Sequence, residues 1–330
     1  MRKFRFVAAG LFVACAAPFA IAFEEPAQPA VVVTTSDATK ETANDSKEAT
    51  PAVAEPAPAP VIPTRVIGSL AWHTDYKFAY REAREQRKML LVFFRDDKNP
   101  AYYDNFERVV LASPHLAPAL GRVARVVVPA ASTDYGRPLT NGQRERLLDH
   151  PSFSFMYRTP GLAMIDLASV GSGVYGRIVS AHPFMAHRAE GVGTVQTMLS
   201  LPPGTITQRA LVYAMRTHPS APQGANYGMF SGYLGALANN HSVLMTSHGV
   251  GHHDWGTRAG QVSASTGRSP SEVAAMTGNS YLLDAASELV TQWRNSPSHW
   301  VLMSPPASVY ALDMVHSPGG AWFGTGIFAR

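Results

Sequence analysis

Met89-Leu90-Leu91-Val92-Phe93-Phe94 is an uninterrupted apolar run. A strand with one face in water alternates polar and apolar residues, so a run without alternation is buried on both faces, as parallel strands in α/β layers are. Its surroundings agree. Trp72, Tyr76, Ala79, Tyr80 and Ala83 recur at helical spacing over Trp72–Gln86, and a second helix is expected over Tyr102–Ala112. A strand at Arg122–Val128, a loop with a short helix to Asp149, strands at Leu162–Leu167 and Tyr175–Ser180, and a helix near Gly193–Leu201 follow. Alternating strands and helices predict an α/β unit of roughly 130 residues. Leu201-Pro202-Pro203-Gly204 then breaks the chain and predicts a boundary between a domain at 65–201 and one at 205–330. In the latter, Ile206–Thr217, a stretch ending near Ser247, and Tyr281–Arg294 read as helices. The last carries Leu282, Ala286, Leu289, Val290 and Trp293 on one face. Val309–Val315 and Ala321–Phe328, separated by Ser317-Pro318-Gly319-Gly320, give a strand–turn–strand ending.

The N-terminus has a different composition. Arg2, Lys3 and Arg5 precede an apolar run from Phe6 that ends in Ala20-Ile21-Ala22, the pattern of a secretory signal peptide cut after Ala22. Gly10 and Pro18 interrupt the run, and its length is marginal for a membrane anchor. A lipoprotein cut before Cys15 fits poorly with Phe12 and Val13. Cys15 is the only cysteine of the chain, so removing the signal removes every thiol. Disulfides, zinc–thiolate sites and a thiol nucleophile are then excluded. The cut also removes three of the 28 basic residues, leaving 25 against 24 acidic ones and no implied nucleic-acid partner. Residues 23–64, rich in Pro, Ala, Thr and Glu, hold seven acids and two lysines. Such a composition predicts a disordered spacer, either holding a domain away from a membrane, wall or partner or serving as a solubilising tail.

The order of Trp72 helix, Leu-Leu-Val-Phe-Phe strand, loop and helix, then a strand entered through Thr159-Pro160-Gly161, resembles the thioredoxin-fold superfamily over about residues 66–200. In that family the loop after the apolar strand carries Cys-x-x-Cys, and a cis-proline packs against it. Here the loop reads Arg95-Asp96-Asp97-Lys98-Asn99-Pro100-Ala101, and Pro160 matches the proline position. The resemblance therefore implies a binding or spacing module without redox activity, with Asp96, Asp97 and Lys98 in a solvated loop. Gly171-Ser172-Gly173-Val174-Tyr175-Gly176 satisfies G-x-G-x-x-G, but a strand-like segment follows it where a nucleotide fingerprint needs a helix. It is expected to be a loop between two strands, and no nucleotide cofactor is implied.

Six of the twelve histidines lie between 241 and 316. Gly251-His252-His253-Asp254-Trp255-Gly256-Thr257-Arg258, Ser271-Glu272-Val273-Ala274-Ala275, Trp293-Arg294-Asn295-Ser296-Pro297-Ser298-His299-Trp300 and Trp322-Phe323-Gly324-Thr325-Gly326 occur in that order. Together they resemble the CAP superfamily, the SCP-like extracellular group, in its bacterial secreted form, over about residues 205–330. The resemblance implies an α-β-α sandwich with a central cleft of two histidines and two glutamates that binds a divalent cation in some members. By motif position His252 and His299 match the histidines and Glu272 the first glutamate. No residue clearly matches the second, and Glu288 is not assigned to it. His253 competes with His252, since neighbouring residues in regular structure cannot both face one cleft.

The expected whole is a thioredoxin-like α/β domain followed by a CAP-type α-β-α sandwich. The expected function is that of a secreted or envelope-associated binding protein. Its cleft would hold Zn²⁺, another divalent cation or a small ligand through His252, His299 and Glu272. The partner would be an extracellular, cell-wall or envelope ligand, with no transmembrane segment left after signal cleavage. The alternative is a metal-dependent hydrolase of peptide or ester bonds with Glu272 as ligand or general base. Neither HExxH nor G-x-S-x-G occurs. Joint ligation requires the three side chains to lie within about 8 Å of one another.

Overall fold

The computed structural model describes residues 63–140, 142–188, 190–221 and 228–330. The expected signal segment with Cys15, and the expected spacer up to residue 62, lie outside them. The described chain is mixed α/β, with two mixed sheets. The described residues belong to one compact unit. No helix among the described residues is long and apolar enough to cross a membrane.

The first sheet contains β1 (Thr64–Ile67), β2 (Leu70–His73), β3 (Leu90–Arg95), β4 (Ala124–Pro129), β5 (Gly161–Ile165) and β6 (Ile178–Pro183), in the order β1-β2-β4-β3-β5-β6. The apolar run became β3, buried from Leu90 to Phe94, parallel to β4 on one side and antiparallel to β5 on the other. Leu91 and Phe93 pack with α2 (Pro100–Phe106), α3 (Ala117–Leu120) and α4 (Val192–Leu199). Leu90, Val92 and Phe94 pack with α1 (Tyr76–Glu85) and the 3-10 turns over 147–156. Helices on both faces are what an unalternating strand requires.

Three local expectations change. Trp72 is in β2, fully buried and paired with Arg65, because Asp75 starts the helix only afterwards by accepting from Lys77 N and Phe78 N. Its helical spacing from Tyr76 and Ala79 spans a strand, a turn and a helix. The helix expected at Tyr102–Ala112 starts at Pro100, whose fixed φ suits a first turn, and widens into a π-helical turn at Glu107–Leu111. Pro160 is preceded by a trans bond, since the described backbone holds no cis peptide. Gly171–Gly176 lies in the loop joining antiparallel β5 and β6, with Gly176 N bonded to Asp166 O. In the loop after β3, Asp97 and Lys98 are exposed and Asp96 accepts from Lys98 N.

The second sheet, β7-β9-β10-β8, comprises β7 (Met229–Phe230), β8 (Pro270–Thr277), β9 (Val309–His316) and β10 (Trp322–Ala329). β9 and β10 form the expected antiparallel ending, and β8 pairs antiparallel with β10. One face (Val273, Leu312, Phe328) packs on α5 (Ile206–Thr217) and on α8 (Leu282–Asn295), through Leu289, Val290 and Trp293. The other face packs Ala311 and Ile327 on α6 (Gly232–His248) and α7 (Trp255–Thr266). The last helix, α9 (Pro297–Met303), follows α8 and lies against β8.

The two sheets meet through Arg209 of α5, which is 2% exposed. Its guanidinium donates to Ser180 Oγ (2.9 Å), Met198 O (3.1 Å), Leu201 O (3.0 Å) and Pro202 O (2.8 Å). Burial lowers its pKa to about 10. Around it, His182 stands edge-on to Tyr213, Tyr157 Oη accepts from Leu282 N at 2.7 Å, and Asp284 pairs with Arg188 at 3.1 Å.

Candidate histidine cleft

β8 presents Glu272 toward the α6 side of the sheet, the side opposite Val273. The residue is 3% exposed, so its charge must be met locally. Arg258, on the first turns of α7, meets it as a two-pronged fork, Nε to Oε2 at 2.8 Å and Nη2 to Oε1 at 2.9 Å. Arg258 Nη1 also donates to His253 O, tying the preceding turn to the pair. That turn separates the two adjacent histidines. Gly249 ends α6 at φ +81°, Asp254 enters α7 in the left-handed region at φ 52°, and the backbone between is irregular. His252 Nδ1 lies 2.9 Å from Glu272 Oε1, whereas His253 Nε2 lies 2.9 Å from Gly249 O. His252 is therefore the one that faces Glu272.

His299, in the first turn of α9, brings its ring centroid to 5.7 Å from that of His252. His252 is thus the shared neighbour, bonded to Glu272 on one side and ring to ring with His299 on the other. Burial, and secondarily the neighbouring His252, lowers the pKa of His299. The His252 side chain is 45% exposed, so the cleft opens to solvent.

Two further members escaped assignment from sequence. His241 of α6, 1% exposed, places Nδ1 3.0 Å from Thr325 Oγ1 and 3.7 Å from Glu272 Oε2. Burial first, then Arg258, His252 and His253, lower its pKa to about 4, so it is neutral at pH 7. Its signal was a His-Ser pair on the inward face of the helix, in line with Leu234, Leu237, Ala238 and Met245: Ser242 is fully buried and bonds Thr325 Oγ1. Arg258 had been part of a motif without a role. Glu288 is exposed on α8 and does not belong to the cluster.

As arranged, Glu272 gives one oxygen to Arg258 and the other to both Arg258 and His252. To ligate a metal it would have to leave a guanidinium whose charge also opposes a cation. Among the described residues no three His, Cys, Asp or Glu side chains are grouped to hold a metal ion. His252 and His299 fit a cation better, as an imidazole pair whose first member is oriented by a carboxylate. Comparison of the chain with protein families, curated proteins and solved structures found no match.

Proposed function

We propose that the chain is a secreted or envelope-associated binding protein of CAP-like build, carrying a thioredoxin-like half without thiols, and that its ligand site is the His252–His299 cleft. The observation that carries this is the Arg258–Glu272–His252 chain. Burying an ion pair costs desolvation that its attraction barely offsets, yet this pair holds one exposed imidazole in a single tautomer. Glu272 can only accept, so His252 Nδ1 carries the proton and Nε2 keeps a lone pair. An imidazole prepared this way beside a second one suits a borderline divalent cation such as Zn²⁺, or a small ligand that donates a hydrogen bond. A cation bound there would supply a Lewis-acidic anchor for an anionic or carbonyl group of the partner. The helix layers on both faces of the second sheet and the neighbours of His252, Glu272 on one side and His299 on the other, support the CAP-like reading. The secretory reading rests on residues 1–22 of the sequence alone.

Zinc titration of the chain by calorimetry tests the site. The double substitution His252→Ala and His299→Ala is expected to abolish binding at the cleft, and Glu272→Gln to weaken it about 10- to 100-fold by releasing the ring. Unchanged zinc binding in the double variant would refute the assignment.

A further inference from the structure

His248 and His253 stand beside the cleft but touch neither Glu272 nor His299. His248 is the exposed last residue of α6, and His253 is half-buried in the turn before α7. Their ring centroids lie 5.8 Å apart. The hydrogen bonds fix which nitrogen of each ring is free. His253 Nε2 lies 2.9 Å from Gly249 O, and a carbonyl can only accept, so Nε2 carries the proton and Nδ1 the lone pair. His248 Nδ1 lies 2.9 Å from Ser247 Oγ and 3.2 Å from Leu244 O; Ser247 Oγ donates its own proton to Leu244 O at 3.0 Å, so Nδ1 is the donor to both oxygens and the lone pair is on Nε2. Metal-ligating histidines characteristically donate their other ring N–H to a carbonyl or carboxylate, which fixes tautomer and ring orientation. Both rings have that arrangement already.

The spacing agrees. With metal–nitrogen bonds of about 2.0–2.1 Å, two imidazoles on one tetrahedral ion hold their centroids about 5 Å apart. The exposed His248 side chain has room to close the difference. Backbone geometry brings the rings together: Gly249, at φ +81°, reverses the chain, and a Cβ on Gly251 would sit 3.1 Å from His253 Nε2. A side chain at 251 would crowd the ring.

We propose that His248 and His253 form a second site for a divalent transition cation of the Zn²⁺, Ni²⁺ or Cu²⁺ kind, with water completing its coordination. Because the ion would tie the end of α6 to the turn that presents His252, occupancy would stiffen the mouth of the cleft. The site itself does not depend on the cleft's function, since it shares no side chain with it.

Zinc titration of the whole chain near pH 7.5, where imidazole is neutral, separates the two sites by stoichiometry. The unsubstituted chain is expected to take up two ions, one of them lost on His248→Gln with His253→Gln and the other on His252→Ala with His299→Ala. Imidazole nitrogen NMR shifts of His248 and His253 should move during the titration. Full stoichiometry in the His248→Gln/His253→Gln protein, with those resonances unmoved by zinc in the unsubstituted chain, would overturn this proposal and leave the cleft untouched. An ion that persists without His252 and His299 but vanishes without His248 and His253 would remove the cleft reading and keep this one. His248 ends a helix and His253 lies in a turn, and circular dichroism of each variant checks that the fold is kept.

Discussion

Arg258 is where a single side chain decides the local energetics. Replacing it with Leu strands the Glu272 carboxylate in a site that is 3% exposed, and removing one partner of a buried pair costs about 3–5 kcal/mol. Urea unfolding of Arg258→Leu should show a loss of that order. The double variant with Glu272→Gln should recover much of it, because no charge is then left unpaired. A loss below about 1 kcal/mol would mean that water reaches Glu272 and that the pair does not hold the cleft. The sequence offered His252, Glu272 and His299 by motif position, but not the geometry that joins them. Choosing between His252 and His253 depended on the turn from Gly249 to Asp254, where two positive-φ residues override any periodicity. His241 was hidden because it follows Asn239 and Asn240 in the helix and is told apart from them only through its partners, and Thr325 lies 84 positions away.

Among the elements, α8 shows how local signals and distant ones divide the work. Its apolar face was legible from spacing, and Leu282, Ala286, Leu289, Val290 and Trp293 are all buried. Its start was read to within one residue, at Tyr281 against the observed Leu282, but what caps it was not, because Tyr281 provides no side-chain cap. The first N–H of the helix, at Leu282, instead donates to Tyr157 Oη, contributed by a left-handed turn (φ 51°) on the other side of the Leu201–Gly204 break. Tyr157→Phe keeps the ring and removes the acceptor, so thermal unfolding should register a loss of about 1 kcal/mol, the usual worth of a helix cap. No change would show that water satisfies Leu282 equally well. The same dependence on tertiary partners explains Trp72: its spacing imitated a helix, while pairing with β1 made it a strand residue.

For the molecule as a whole, the meeting of the two sheets gives stability a characteristic pH dependence. Burial raises the pKa of Glu190 to about 7, with Arg188 pulling the other way; nearby, Tyr213 and Tyr102 feel its charge. The unfolded chain releases this proton near pH 4.5 and the folded chain near 7, so stability falls as pH rises across that window and is unaffected below it. Full ionisation costs at most about 3 kcal/mol at 1.36 kcal/mol per pH unit. Glu190→Gln should gain stability over the parent at pH 7.5 and none at pH 4, measured by urea unfolding. His182, held neutral by burial with its pKa down to about 3, and His241 work in the opposite sense, losing stability as pH falls below about 6.5. Both proteins share those two histidines, so the difference isolates Glu190. Arg209 reaches across the break at Leu201-Pro202-Pro203-Gly204. Its guanidinium is donated from one side of the break to acceptors on the other and within it. A recombination event that carried off residues 205–330 would expose that cation's apolar surroundings and leave a row of carbonyls unanswered. Exchanging either half as a module would therefore call for a compensating change at 209.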